Sequence, residues 1–283
     1  MGKGILVFGA TGKQGRVATL ALQEAGFKVR GTTRAPKGAV AMKLADAGIE
    51  MVRADIDDGE SVKKALEGMY GLYQIVPSMY DHDDLRYAKI VLDLALEKGI
   101  KHLVYLSYLS ADPDKGYKDA KKQLTENYIR RLGLPYTIVR SVEFMEDFNE
   151  WWKEEILKDG ISDPRDGDFP RQFIACKDLA AFAVQAFKEP EEWIGRAINV
   201  AGDEMTNAEM AEIFSRVLGR PVPLNRITWE EWQDRYHIPS VIVDVMKWYN
   251  KTRFVVNVNG LREQYPNMQR LEDFLRETEW EKL

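Results

Sequence analysis

A short hydrophobic run that leads into three closely spaced glycines constrains the fold of this chain more than any other feature. Residues 5–8 are apolar without alternation, which is typical of a parallel strand covered on both faces. Gly9 permits a sharp turn, Gly12 permits a phosphate group to approach the backbone, and Gly15 permits close packing of a helix on the strand. The stretch therefore predicts a strand, a phosphate-binding loop and a helix.

The surrounding sequence favours a complete βαβ unit. A helical pattern over residues 13–24 ends before Gly26, and a second β-rich run covers residues 27–33. The amino end of the helix would present backbone N–H groups and the positive end of its dipole to an anion, so a dinucleotide is the predicted ligand. An ordinary glycine-rich turn is the alternative. The loop residues assigned to the cofactor are Gly9, Thr11, Gly12, Lys13, Gln14 and Gly15.

Composition limits the class of protein. The chain has 283 residues, 45% of them hydrophobic and 30% charged, and its net charge of −5 argues against direct binding to nucleic acid. The single cysteine, Cys176, excludes an internal disulfide and suits a reducing compartment. Residues 1–3 lead directly into the first strand, leaving no room for a signal peptide, and no apolar run reaches the ~20 residues that cross a bilayer. We predict a cytoplasmic protein without a membrane partner, with the nucleus left open.

The end of the second predicted strand indicates which dinucleotide is bound. Arg34 lies there and Lys37 follows, with no acidic residue between them. An acidic residue at this tip would bind the adenosine ribose hydroxyls and repel a 2′-phosphate, whereas an arginine pairs with that phosphate. The sequence therefore favours NADP(H) over NAD(H), and a solvated arginine in a turn is the alternative.

The fourth predicted strand, residues 70–76, ends at Pro77, which the topology places beside the first strand, at the crevice where a dinucleotide crosses the sheet. Pro77 is therefore expected to contact the ribose or the diphosphate. The acidic run around His82 has the composition of a metal cluster, but its acids precede a predicted helix over residues 85–98 and suit its amino end. One histidine does not make a metal site, so no metal is predicted.

The spacing G-x-x-G-x-x-G of the three glycines departs from that of ordinary dehydrogenases and resembles the short-chain dehydrogenase/reductase superfamily. Within it, the stretch is similar to the NmrA-like family, named for a regulator of nitrogen metabolite repression. The resemblance implies that Asp55, after the third strand, lies beside the adenine ring. It also implies that the hydroxyl of Ser107, at the end of the fifth strand, helps to hold a substrate carbonyl. A small polar residue that ends a buried strand is the alternative for Ser107.

Two sequence patterns give different candidates for the lysine on the nicotinamide side. Tyr117 and Lys121 have the Y-x-x-x-K spacing of the superfamily's catalytic pair, in which the lysine lowers the phenol pKa for proton transfer. Lys122 begins the pattern K-x-x-x-E-N-Y-x-R-x-L-G-L-P, which resembles NmrA-like proteins, where the lysine reaches the nicotinamide and the tyrosine is commonly absent. Lys122 is preferred because the longer pattern fits it. A solvated helix face that carries both lysines is the remaining alternative.

The segment after the sixth strand, residues 141–148, is similar to the R-P-x-x-F-M-E-N segment of the same family. The resemblance implies that Phe144 borders the nicotinamide. Ser141 and Asp147 stand where the family pattern has proline and asparagine.

The later sequence predicts a smaller, mostly helical lobe. A short strand over residues 173–175 is expected to return to the sheet, Asp178 is expected to cap a helix over residues 179–187, and residues 197–201 are expected to form the seventh parallel strand. Four aromatic residues of the lobe fit either the wall of a substrate cleft or a small core. They are Trp229, Trp232, Trp248 and Tyr249.

Together these elements predict an α/β fold, a doubly wound parallel (Rossmann) sheet of order 3-2-1-4-5-6-7 with the smaller lobe over its carboxyl edge. The expected domains are residues 1–142 with 166–202 for NADP(H) binding, and residues 143–165 with 203–283 for a substrate or partner.

The predicted function is NADPH-dependent hydride transfer to a small conjugated acceptor such as a quinone, an imine or an enone. Lys122 would position the ribose or polarise the acceptor, and Tyr117 or water would supply a proton. The alternative that the resemblance implies is a non-catalytic NADP(H) sensor that acts through a regulatory protein. A protein whose cofactor is purely structural is the third possibility. The sequence leaves the oligomeric state open.

Overall fold

The structure is a computed structural model that describes residues 2–75, 84–117 and 121–283. Within these three ranges, no helix has both the length and the apolar character needed to cross a membrane. Two sequence expectations, the cofactor contact of Pro77 and the acidic run around His82, fall outside the described residues.

The chain forms two compact units, and each is assembled from two separate stretches of sequence. The bounds are Met1–Ser141 with Leu179–Asn199 for the first unit, and Val142–Asp178 with Val200–Leu283 for the second. Compared with the expected domains, the main difference is that residues 166–178 lie in the second unit.

Strands and helices alternate along the first half of the chain, as a repeated βα pattern predicts. The elements are β1 (Gly4–Phe8), α1 (Lys13–Glu24), β2 (Lys28–Thr33), α2 (Ala39–Asp46), β3 (Glu50–Arg53), α3 (Gly59–Leu66), β4 (Gly71–Gln74), α4 (Asp84–Glu97), β5 (His102–Tyr108), α5 (Lys121–Leu132) and β6 (Tyr136–Ser141). A 3₁₀ turn at Leu109–Ala111 follows β5.

The remaining elements belong partly to the first unit and partly to the second. They are β7 (Glu143–Phe144), α6 (Lys153–Lys158), β8 (Ile161–Asp163), β9 (Arg171–Ile174), α7 (Cys176–Lys188), α8 (Pro190–Trp193), β10 (Ala197–Asn199), β11 (Asp203–Met205), α9 (Asn207–Leu218), β12 (Leu224–Arg226), α10 (Trp229–Tyr236), α11 (Ser240–Thr252), α12 (Val258–Gln264) and α13 (Leu271–Glu277). A turn of π-helix at Phe148–Trp152 precedes α6, and a 3₁₀ turn at Trp280–Lys282 follows α13.

The main sheet lies in the first unit and has the order β10-β6-β5-β4-β1-β2-β3, with every pairing parallel. The predicted order is therefore confirmed, with β10 as the seventh strand. Ile5, Leu6 and Val7 of β1 have no exposed surface, because β1 is an inner strand covered on both faces. Since all strands run the same way, the ends of β1, β2 and β5 reach one edge of the sheet, where ligands of such folds bind.

The second unit has two small sheets among its helices, a three-stranded sheet β11-β9-β7 and a two-stranded sheet β12-β8. The short strand expected at residues 173–175 is present as β9, but the expectation that it returns to the main sheet is wrong. It pairs with β7 and β11 instead, and this pairing keeps residues 166–178 in the second unit. A hydrophobic run of this length indicates a strand without indicating its partner.

The aromatic residues singled out in the lobe contact one another within the second unit. Trp232 is 7% exposed and meets Trp229 edge-to-face, with ring centroids 5.9 Å apart. Trp248 and Tyr249 have centroids 4.6 Å apart. These contacts fit a small core, and the cleft wall stays a prediction.

The expected cap of α7 is wrong. The helix begins at Cys176, so Asp178 lies in its first turn, and the N–H of Cys176 donates to Glu146 Oε1 at 2.9 Å. The Asp178 carboxylate accepts the N–H of Gln269 at 2.8 Å instead. Burial raises the pKa of Asp178 in spite of this hydrogen bond. The true partner is distant in sequence, so a local capping rule could not find it.

Candidate functional site

The loop between β1 and α1 is shaped to receive an anion. Gly9 has a left-handed φ of 89°, and the N–H of Gly12 donates to the Gly9 carbonyl oxygen at 3.1 Å. Gly12 is the N-cap of α1 and has no side chain that could accept the N–H groups of the first turn. The N-cap residue therefore does not compete with an anion for the backbone N–H groups at the amino end of α1.

Of the three glycines, Gly15 has the least space for a side chain. A Cβ at this position would lie 2.0 Å from the Gly9 carbonyl oxygen and 2.9 Å from the Cα of Ala10. A Cβ at Gly12 would lie 3.4 Å from the same oxygen, which is an ordinary contact. The close packing assigned to the third glycine is therefore present in the structure.

Small residues of β2 hold this loop in place. The Gly9 N–H donates to Thr32 Oγ1 at 3.1 Å, and a Cβ at Gly31 would lie 2.8 Å from the Cβ of Ala10. Thr11 Oγ1 reaches Thr33 Oγ1 at 3.5 Å. Sequence reasoning missed this support, although the G-T-T run at the end of β2 carried the signal.

The tip of β2 presents two cations to solvent. Arg34 and Lys37 are exposed, and neither makes a hydrogen bond or ion pair with another described residue. Because β2 pairs with β1, the tip lies beside the glycine loop. The Arg34 guanidinium is thus available to an anion bound next to that loop.

The other predicted cofactor residues of the first unit lie near the same edge. Thr11, Lys13 and Gln14 are half-buried in the loop and the first turn of α1. Asp55 follows β3, the neighbour of β2, and its side chain is 29% exposed. Its Oδ1 accepts the N–H of Asp57 at 3.3 Å, so the carboxylate is partly committed to its own turn.

The start of helix α5 and the burial of its first residues distinguish Lys121 from Lys122 as the candidate lysine on the nicotinamide side. It begins at Lys121, so the described helix does not include Tyr117, which donates its N–H to the Ser110 carbonyl oxygen at 2.8 Å. Lys122 is 7% exposed, whereas Lys121 is half-buried. The burial difference favours Lys122 as the lysine that faces the interior of the unit.

Two tyrosines of β5 surround the end of the Lys122 side chain. The Nζ atom lies 5.4 Å from the ring centroid of Tyr105 and 5.4 Å from that of Tyr108, within the range of cation–π contacts. We call these two rings the aromatic seat. Sequence reasoning missed it, because nothing in the spacing shows which helix residue meets the end of β5.

A buried carboxylate lies one helical turn after Lys122. Glu126 has no exposed surface and accepts hydrogen bonds from Arg140, at 2.8 Å from Nε and 2.6 Å from Nη2. It also accepts from Arg130 Nη2 at 3.0 Å and from the Ser107 hydroxyl at 2.7 Å. The carboxylate therefore joins α5 to β5 and β6.

Arg140 extends this network to the end of the sheet. Its Nη1 donates to Asp112 Oδ2 at 3.1 Å and to Asn199 Oδ1 at 3.2 Å. Burial alone would lower the pKa of Arg140, but Glu126 and Asp112 raise it above its ordinary value. Burial likewise opposes ionisation of Asp112, but hydrogen bonds from Asn199 and nearby backbone N–H groups lower its pKa. Both shifts favour the charged forms of Arg140 and Asp112.

The hydroxyl of Ser107 is occupied by this network. Ser107 has no exposed surface, and its Oγ donates to Glu126. The arrangement favours the structural alternative for Ser107 over direct contact with a substrate carbonyl.

Phe144, predicted to border the nicotinamide, belongs to the second unit. It lies in β7 and is 6% exposed. The preceding residue, Glu143, bridges two buried arginines, Arg165 at 2.6 Å and Arg171 at 2.5 Å. Sequence reasoning missed this ion-pair cluster, which fixes the strand that carries Phe144.

Known proteins are similar to this chain in sequence and in fold. A reductase of Streptomyces griseus, named for (4-alkanoyl-5-oxo-2,5-dihydrofuran-3-yl)methyl phosphate, is 33% identical over 221 residues, covering 77% of this chain and 75% of that protein. The nitrogen metabolite repression protein of Emericella nidulans is 27% identical over 240 residues, covering 78% of this chain and 67% of that protein.

A solved structure is also similar to this chain in fold. The triphenylmethane reductase of Citrobacter sp., complexed with NADP(H), matches with a TM-score of 0.81 at 24% identity, covering 97% of this chain and 99% of that chain. A sequence model of the NmrA-like family matches residues 1–275. The chain therefore belongs to the NmrA-like family.

Proposed function

We propose that this protein binds NADP(H) at the β1–α1 loop and acts as an NADPH-dependent reductase. The observation that carries the proposal is the fit at Gly15, where the Gly9 carbonyl oxygen fills the space of a side chain and α1 packs directly onto β1. The amino end of α1, where glycine is the N-cap, then suits a diphosphate. The NADP(H) complex of the Citrobacter reductase supports the choice of ligand.

In this proposal, each predicted cofactor-binding residue contacts one part of the cofactor. The diphosphate is assigned to Gly9, Thr11, Gly12, Lys13, Gln14 and Gly15, the 2′-phosphate to Arg34 and Lys37, the adenine to Asp55, the central ribose or diphosphate to Pro77, and the nicotinamide side to Lys122 and Phe144.

Replacing Arg34 with alanine is expected to weaken NADPH binding by about 1.5–3 kcal/mol, the range for charged hydrogen bonds. NADH binding should change little, because NADH lacks the 2′-phosphate. Fluorescence titrations of both cofactors, with Lys43→Ala as an exposed control on α2, measure the difference. Equal losses for the two cofactors would show that Arg34 does not read the phosphate.

Lys122 is the residue that we assign to the reaction itself. When bound, NADPH supplies a hydride to the acceptor. The Lys122 ammonium would hold a ribose hydroxyl or stabilise negative charge that develops on an acceptor oxygen. A proton from Tyr117 or from water completes the reduction of a carbonyl or imine acceptor.

We propose a small conjugated molecule as the acceptor, such as a quinone, an imine or an enone. The substrate named for the Streptomyces relative contains a ring double bond next to a carbonyl, which is an acceptor of this kind. A double bond in conjugation with oxygen or nitrogen delocalises the electron pair that arrives with the hydride, and a nearby ammonium stabilises the resulting charge.

The decisive experiment follows NADPH oxidation against a panel of quinones, imines and enones. Turnover with one acceptor class, lowered at least tenfold by Lys122→Met and much less by the matched variant Lys121→Met, would support the reductase. An equal effect of the two variants would contradict the role of Lys122.

The second candidate is a redox sensor, favoured by the similarity to the nitrogen metabolite repression protein. A sensor needs different affinities for NADPH and NADP⁺, or a partner that binds one cofactor state more tightly. Tight, redox-dependent binding without turnover across the whole panel would favour this function over the reductase.

A further inference from the structure

We propose that Tyr105 and Tyr108, the aromatic seat, are positioning residues that hold the Lys122 ammonium at the carboxyl edge of the main sheet. The inference deepens the proposed reductase function and rests on it for the role of the lysine. It assigns the positioning of Lys122 to tyrosines of β5, which belong neither to the glycine loop nor to the sequence pattern that begins at Lys122.

The geometry of the seat is specific. Nζ lies at the same distance, 5.4 Å, from both ring centroids, so the cation is shared between two faces. Tyr105 has no exposed surface, and Lys122 is 7% exposed. Partial removal from water strengthens a cation–π contact, because less hydration competes with the rings.

The backbone under the seat is also fixed. Ser107 lies between the two tyrosines on β5, and its hydroxyl donates to Glu126 on α5 at 2.7 Å. Lys122 and Glu126 are one helical turn apart and therefore share a face of α5. Two contacts a turn apart thus set the helix against the strand, and the rings then limit where the long lysine side chain can place its charge.

The chemical consequence is that Lys122 acts as a fixed positive charge. The negative face of an aromatic ring attracts an ammonium and gives a neutral amine no comparable attraction. A held cation suits the orientation of a ribose hydroxyl or the stabilisation of an oxyanion, whereas it does not suit a general base.

The first unit contains a matched cation–π pair that can serve as a control. Lys89 Nζ lies 4.9 Å from the ring centroid of Tyr128, which is on α5 like Lys122 and also hydrogen-bonds to Asp93. We assign no part of the cofactor or acceptor site to this pair. Tyr128→Leu therefore reports the general cost of removing a tyrosine that contacts a lysine.

The first test measures single-turnover hydride transfer from saturating NADPH to the best quinone of the panel. Tyr108→Leu removes a ring face and is expected to slow the transfer about tenfold, within the range of a desolvated cation–π contact, with little change in the quinone concentration that gives half of the maximal rate. Tyr108→Phe keeps the face and should retain at least about half of the rate. In a Lys122→Met background, Tyr108→Leu should cause no further loss.

Equal rates for Tyr108→Leu and Tyr108→Phe would overturn the proposal, as would a further loss in the Lys122→Met background. Either result would mean that Tyr108 acts through its hydroxyl or through packing alone. Tyr128→Leu should leave the transfer rate near that of the wild type.

A second test needs no cofactor and separates this proposal from the reductase function. Urea midpoints are measured for Tyr108→Leu, Lys122→Met and the double variant, and the losses should be smaller in the double variant than their sum, since the contact can be lost only once. Additive losses would overturn the seat. Coupled midpoints in a protein that oxidises no NADPH would leave the seat in place and remove the reductase.

Discussion

Replacing Gly15 with alanine is expected to weaken NADPH binding about a hundredfold or more, a loss of about 2.7 kcal/mol. The added Cβ would lie 2.0 Å from the Gly9 carbonyl oxygen, which is backbone and cannot rotate away. The helix α1 would have to move, although its Leu22 side chain has no exposed surface and is packed in the interior. Any such movement displaces the amino end that is proposed to receive the diphosphate. A fluorescence titration with NADPH measures the loss.

A matched variant separates this effect from the general effect of glycine replacement. Gly59 begins α3, and a Cβ there would meet nothing within 4 Å. Gly59→Ala should keep NADPH affinity within about twofold and leave stability equal or slightly higher, because alanine reduces the entropy of the unfolded chain. Wild-type affinity and an unchanged melting temperature in Gly15→Ala would refute the close packing.

Replacing Arg140 with methionine is expected to lower the free energy of unfolding by about 3–5 kcal/mol, the range for breaking a buried ion pair from one side. The Glu126 carboxyl group would stay at a position with no exposed surface while losing both of its hydrogen bonds to Arg140. Asp112 and Asn199 would lose their bonds to the same guanidinium. Urea unfolding monitored by circular dichroism measures the change.

The control for this prediction is Arg130, which bonds to the same carboxylate at 3.0 Å but has a side chain 29% exposed. Arg130→Met should cost about 1 kcal/mol or less, as partly solvated ion pairs do. Combining Arg140→Met with Glu126→Leu should restore part of the stability, because no unpaired charge is then left at Glu126. If Arg140→Met costs no more than Arg130→Met, the network is not an important source of stability.

The features that the sequence predicted well are those with local causes. The order of the main sheet follows from apolar runs separated by helices, and the unbroken apolar character of residues 5–8 fits an inner strand. The demand for glycine at position 15 follows from a connection of only four residues, 9–12, between β1 and α1. Each of these features depends on residues within a single βα unit, so it can be predicted from a short stretch of sequence.

The features that the sequence did not predict depend on contacts between distant residues. The partners of Glu126 come from β5 and β6, and the aromatic seat joins β5 to α5, so neither follows from the spacing of one element. The pairing of β9 with β7 and β11 is of the same kind. Residues 118–120 lie outside the described ranges, so the one-turn spacing of Tyr117 and Lys121 stays a prediction.

The division of the chain between its two units has a consequence for synthesis. The chain passes from one unit to the other after Ser141, after Asp178 and after Asn199. The strand β10 forms the edge of the main sheet beside β6, but it is synthesised only after all of residues 142–178. During translation, β6 therefore has an unpaired edge until β10 is available. Unpaired strand edges favour aggregation of nascent chains. No single truncation point yields either unit whole, so either unit can be produced alone only by joining its two separate segments.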